Sequence, residues 1–150
     1  MPGTVRFTSP PDATSHAQRS VWLAPAAATA VAVVLWVLAA PLSGVELLVD
    51  SVVGRMEVDL ASVVLGSAIG GFGALAVGRA ARRWSSRPRR SFLIATGLIL
   101  PLSLIGPATT ALSTATALWL CSMHLAVGSV AIPLVAGRLP SSADHGGSPA

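Results

Sequence analysis

The chain has 150 residues, of which 53% are hydrophobic and only 11% charged, with a formal net charge of +4. A soluble domain carries roughly 25% charged residues, so a soluble globular fold is excluded. The positive balance does not point to nucleic acid: the basic residues are all arginines, and six of them fall in one short segment between two apolar stretches, which is the topogenic pattern of a membrane protein.

Residues 1–19 are rich in Pro, Ser, Thr and Ala and hold few large apolar side chains. Such a segment buries too little surface to fold alone, and a disordered cytoplasmic tail is expected. Residues 20–45 carry no charge, and a run of about 20 apolar residues crosses a hydrocarbon core. The first span is placed at 21–44, with Pro25 in its first turn, where a missing N–H does little harm. Arg6 and Arg19 precede an apolar run ending in Leu38-Ala39-Ala40-Pro41. That run is longer than a signal-peptide core of about 7–15 residues, so a retained helix is expected. The link at 45–59 sets Glu46, Asp50, Glu57 and Asp59 against Arg55 alone. It contains no calcium-loop pattern and reads as a solvated face, with 46–56 forming a short interfacial helix.

The second span is placed at 60–78. Arg79, Arg82, Arg83, Arg87, Arg89 and Arg90 follow it. Residues 91–137 hold only Cys121 and His124 as ionisable side chains. One helix of that length would reach about 70 Å, so the segment must fold back. The third span is placed at 91–106, broken by Gly106 and Pro107, and the fourth at 115–136. Domain organisation is thus a transmembrane unit at 20–138 between disordered cytoplasmic tails at 1–19 and 139–150. The fold class is an all-α membrane protein, a four-transmembrane-helix bundle. Arginine counting orients it: the six-arginine loop is cytoplasmic and the acidic link is outside, which puts both termini in. Absence of Lys, Asn and Tyr, whose codons are A/T-rich, indicates a GC-rich bacterial genome and hence the bacterial cytoplasmic membrane.

Two features bear on function. Ser62, Gly66, Gly70, Ala74 and Gly78 form a small-residue stripe at four-residue spacing, joined by Gly71 and Gly73. Small-xxx-small spacing lets helix backbones approach closely. The stripe serves either packing within the bundle or a homodimer seam, and bulk at Gly70 is expected to be destabilising. His124 lies near the middle of the fourth span, one turn after Cys121. A mid-membrane histidine is a functional hypothesis by default: a proton relay, a metal ligand or a haem ligand. The alternative is an imidazole hydrogen-bonded to Ser103, a threonine or a backbone carbonyl. A single cysteine excludes an internal disulfide and a cysteine-based zinc cage. The run Gly70-Gly71-Phe72-Gly73 lies inside a span, which argues against a phosphate-cradling loop. No nucleophile elbow, Walker loop, H-E-x-x-H or C-x-x-C occurs.

Over residues 22–134 the chain resembles a family of uncharacterised four-helix membrane proteins from actinobacteria, a domain-of-unknown-function family. The resemblance rests on Pro41-Leu42-Ser43-Gly44, the arginine loop, Leu102-Ser103 with Gly106-Pro107, and Met123-His124-Leu125. It implies topology and no activity. Three function classes follow. The leading one is a non-enzymatic structural, interaction or accessory subunit. The second is a small transporter or channel, although the first span lacks the carboxylate that small multidrug transporters place there. The third is a haem- or metal-associated protein using His124. No cofactor is expected. The partners expected are the lipid bilayer and either a second copy or another membrane protein, with no nucleic acid.

Overall fold

The computed structural model describes residues 13–52 and 54–140. Helix α1 (Ala13–Val37) begins before the expected first span. Residues 13–19, assigned to the tail by composition, are therefore helical, and Pro25 lies well inside the helix instead of in its first turn. The calls on residues 1–12 and 141–150 lie outside the described residues. A π-helical turn (Leu38–Leu42) continues α1 and contains Pro41. Proline has no N–H to offer the carbonyl one turn back, and the chain widens its register here. Ser43 N donates to Leu38 O at 3.1 Å and Val45 N to Ala39 O at 3.1 Å.

The link at 45–59 forms a two-stranded antiparallel hairpin, β1 (Leu48–Ser51) and β2 (Gly54–Glu57), in place of the expected interfacial helix. The register sets Leu48 against Glu57, Val49 against Met56, Asp50 against Arg55 and Ser51 against Gly54. Tight hairpin turns need positive φ, and Gly54 supplies it at 107°. Val58 N donates to Leu47 O at 2.8 Å and closes the hairpin's base, and three bonds dock the hairpin and its flanks on the bundle. Leu112 N donates to Leu48 O at 3.1 Å. Thr116 Oγ1 donates to Glu46 O at 3.0 Å, and Trp36 Nε1 donates to Val58 O at 2.9 Å. These tertiary bonds, invisible to local periodicity, favour strand over helix.

Helix α2 (Leu60–Trp84) is capped by Asp59 and runs on through Arg79, Arg82 and Arg83, and the next helix starts before Arg89 and Arg90, so of the six arginines expected in the loop only Arg87 lies outside a helix. Helix α3 (Pro88–Ser103) starts with proline at its first turn and contains Pro101. It breaks at Leu104, ahead of Gly106, and a short helix α4 (Ile105–Thr110) completes the span. Pro107 explains the position: it cannot donate to Ser103 O, so the ladder fails one turn before the proline. Helix α5 (Thr114–Ala136) is capped by Ser113, whose hydroxyl accepts from Thr116 N.

Four helical stretches are long and apolar enough to cross a membrane: Trp22–Leu42, Leu60–Trp84, Pro88–Thr110 and Thr114–Ala136. Helix α1 packs on α2 and α5, α2 on α3, and α3 on α5, with α2 and α5 also touching across the ring. Two clusters fill the interior. Ala24, Leu75, Phe92, Val135, Ala136 and Leu139 form the one at the arginine-rich end, so Leu139, expected in the tail, belongs to the core. Ala32, Ala39, Leu47, Val63, Leu120 and Met123 form the one at the hairpin end. The outward faces are equally apolar, with Leu98 68% and Leu65 64% exposed. That is the distribution a lipid solvent requires, where helices associate through contact and not through expulsion of water.

Candidate functional site

A cavity of 480 Å³ lies between α2, α3 and α5. It runs along α2 from Ser62 to Val77, which at 1.5 Å per residue is about 22 Å, most of a hydrocarbon core. It is a groove and not a sealed void: Gly66, Gly70 and Ile99 on its walls are exposed.

The glycines of α2 explain why the groove exists. A Cβ at Gly66 or Gly73 would meet nothing within 4 Å, and one at Gly70 would meet only Val127 Cγ1 at 3.7 Å. These positions leave space where a side chain would fill it. Two other glycines hold the bundle together. A Cβ at Gly71 would stand 2.6 Å from Pro25 Cα, and one at Gly78 would stand 2.8 Å from Val135 Cγ1. The small-residue stripe therefore divides. Ser62, Gly66, Gly70 and Ala74 line the groove, Gly78 packs, and the closest backbone approach is at Gly71. The expected intolerance of bulk moves from Gly70 to Gly71. On the opposite wall a Cβ at Gly128 of α5 would meet Leu100 Cδ1 at 2.7 Å, which closes the groove's far side.

The polar groups on the walls are few. His124 of α5 and Ser103 of α3 both line the groove, whereas Cys121 does not. His124 Nδ1 bonds the carbonyl oxygen of Leu120 in its own helix at 2.8 Å, not Ser103. A carbonyl only accepts, so this bond places a ring proton on Nδ1, and in the neutral imidazole Nε2 is then an acceptor. Nε2 has no bond among the described residues. Ser103 Oγ donates to Leu100 O at 2.6 Å, Thr96 Oγ1 to Phe92 O at 2.8 Å and Ser67 Oγ to Val63 O at 2.7 Å. The Ser62 hydroxyl is drawn to the Asp59 carboxylate. Each hydroxyl proton is thus committed to a protein acceptor, the back-bonding habit of Ser and Thr in helices. The groove offers lone pairs and no free donor. Sequence reading did not single out Thr96 and Ser67. Their signal is spacing: Thr96, Leu100 and Ser103 repeat at one helical face, as do Leu120, His124, Val127 and Ala131.

Arg79, Arg82, Arg83, Arg87, Arg89, Arg90 and Arg138 lie at the other end of the molecule from the hairpin, which itself holds Arg55. Arg82 and Arg83 sit in the last turn of α2, where cations suit the helix dipole. Arg89 and Arg90 sit in the first turn of α3, where they do not, so helix stability does not account for them. Among the described residues no three His, Cys, Asp or Glu side chains converge as a metal site.

No curated protein and no solved structure matches the chain. One family does, over residues 12–141, which takes in all four apolar helices, the hairpin and the groove. With that coverage the chain belongs to a family of unknown function, DUF6069.

Proposed function

We propose that this is a multi-pass protein of the bacterial cytoplasmic membrane, both termini inside, acting without catalysis as an accessory subunit that holds a linear apolar molecule bearing a hydroxyl donor. The observation that carries the reading is the groove: long, narrow, apolar and furnished only with acceptors. Its volume of 480 Å³ falls within the usual range for ligand sites, about 300–1,000 Å³. Spread over about 22 Å, it has a mean cross-section of about 22 Å², whereas a helix of about 10 Å diameter needs nearly four times that. A single hydrocarbon chain suits the groove better than a partner helix does. A hydroxyl on that chain would satisfy His124 Nε2, which otherwise faces hydrocarbon unpaired. The orientation is supported by arginines at one end and Glu46, Asp50, Glu57 and Asp59 at the other. The Lys-, Asn- and Tyr-free composition supports a GC-rich, actinobacterial source.

The test uses the purified full chain in detergent, with oleyl alcohol and octadecane as probes. The alcohol is expected to bind and raise thermal stability more than the hydrocarbon. The variant Gly66→Leu/Gly70→Leu, built where side chains have room, is expected to fold and to bind neither. Equal binding by the parent and the filled variant would remove the groove as the site.

A second reading has one observation in its favour. A histidine that bonds a backbone carbonyl through Nδ1 and leaves Nε2 free has the arrangement usual in metal and haem ligands. Absorption spectra of the purified protein separate the two.

A further inference from the structure

A second, smaller cavity of 120 Å³ lies at the opposite end of the bundle from the hairpin, outside the groove. Arg79 and Arg82 of α2 and Arg138, just past α5, share its wall with Leu75 and Leu139. Arg79 and Arg82 are three apart on one helix and so project from the same side. Arg138 joins them because α5 comes close to α2 at Gly78, where an added Cβ would stand 2.8 Å from Val135 Cγ1. The convergence is therefore built by packing and is not a property of the arginine-rich turn. Arg87, Arg89 and Arg90 carry the same charge nearby without lining this cavity.

Three arginines line one small space, and their positive charges repel one another and cannot be lost as protons. Among the described residues no carboxylate pairs with any of them; Glu46, Asp50, Glu57 and Asp59 are all at the hairpin end. The space equals about four water volumes, enough for a tetrahedral oxyanion. Guanidinium forks bind phosphate oxygens bidentately. The cavity's remaining wall is apolar, and Leu75 and Leu139 belong to the buried cluster at this end of the bundle. A free anion has no use for that wall, whereas the first methylenes of a lipid's acyl chains do. We propose that Arg79, Arg82 and Arg138 form a binding site for the phosphate of an anionic phospholipid at the arginine-bearing surface of the membrane. The site rests on the membrane reading and not on the groove or its ligand.

The experiment titrates the full chain in neutral detergent with dioleoylphosphatidylglycerol, dioleoylphosphatidylcholine or inorganic phosphate, and counts bound molecules by native mass spectrometry. The phosphatidylglycerol preference over phosphatidylcholine is expected to be about tenfold or more, from the contribution of near-surface arginines. Arg79→Gln/Arg82→Gln/Arg138→Gln is expected to abolish the preference. Arg87→Gln/Arg89→Gln/Arg90→Gln, which removes the same charge, is expected to keep most of it. Arg79→Lys/Arg82→Lys/Arg138→Lys keeps charge and topology and is expected to fall between, because lysine lacks the fork. Inorganic phosphate at the lipid's concentration should not displace it. Equal loss in the two glutamine triples would reduce the effect to diffuse surface charge and overturn the site. Displacement by phosphate alone would make it a soluble-anion site and overturn the lipid assignment.

Discussion

Gly71 of α2 lies so close to Pro25 of α1 that a Cβ built on the glycine would stand 2.6 Å from the proline Cα and 2.8 Å from its Cβ. Both contacts are with a buried, ring-locked residue that cannot swing aside. One helical step away, Trp22 and Phe72 meet edge to face with centroids 5.5 Å apart, fixing the same crossing. Gly71→Ala is therefore expected to lose about 1–3 kcal/mol, the usual penalty of overpacking, despite the better helix propensity of alanine. Gly66→Ala meets nothing within 4 Å and is expected to be neutral or mildly stabilising. Unfolding of the two variants in mixed micelles compares them. Equal stability would place the α1–α2 crossing elsewhere.

Asp59 caps α2 by accepting from Ser62 N at 2.8 Å. The Ser62 hydroxyl, and then its backbone N–H, hold the Asp59 carboxyl below the ordinary value of 3.8. A carboxyl depressed in the folded state contributes stability above its unfolded value and loses it as pH falls through the lower folded value. The cap is thus expected to be fully present at neutral pH and to be lost only below about 3.8. Asp59→Asn, which still caps, should flatten that acid dependence while leaving neutral-pH stability nearly unchanged. Thermal melts of both proteins from pH 7 to pH 3 check it. An identical acid slope in the two would show that the dependence arises elsewhere.

Orientation has its own test. Val52 is fully exposed at the hairpin tip, and Ser86 is exposed in the turn between α2 and α3. In a Cys121→Ser background, Val52→Cys is expected to react with a membrane-impermeant maleimide on intact cells, and Ser86→Cys only after lysis. The reverse pattern would invert the topology and place the three-arginine cavity on the outer surface.

Charge-free stretches made the number of spans legible in the sequence, because a bilayer tolerates little else over that length. Their ends were less legible. Arg79, Arg82 and Arg83 stop a hydropathy count at Gly78, yet nothing in them stops a helix, and α2 continues to Trp84. The hairpin was hidden for a different reason. The bonds from Thr116 to Glu46 O and from Leu112 N to Leu48 O come from residues far along the chain, and local pattern carries no trace of them. His124, Cys121 and Ser103 were singled out as a mid-membrane polar site; the structure brings His124 and Ser103 to one groove without bonding them to each other, and leaves Cys121 off its walls. The glycine stripe was the hardest to read. Small residues at helical spacing specify either a close contact or an open space, and only the neighbouring helices decide between Gly71 and Gly70.

On the proposed reading, His124 selects what the groove holds. Its Nδ1 bond to Leu120 O is local, and that carbonyl also lies within the backbone ladder of α5. Losing the side-chain bond should therefore alter stability little, by about 0.6 kcal/mol, the average for polar side-chain bonds in a membrane bundle. What the imidazole contributes is Nε2, the acceptor turned away from the helix. His124→Leu removes that acceptor and keeps the wall apolar. Its affinity for oleyl alcohol is expected to fall about two- to tenfold, the worth of one hydrogen bond, while octadecane binding stays the same. His124→Gln restores an acceptor on a shorter reach and is expected to recover part of the loss. These outcomes separate hydrogen bonding from ligation. If haem is the occupant, the parent shows a Soret band that both substitutions abolish, since neither Leu nor Gln replaces an imidazole on iron. A protein without that band, whose alcohol affinity follows the order His, Gln, Leu, holds a hydroxyl-bearing apolar chain. A protein whose affinity is the same for all three has its ligand, if bound at all, away from α5.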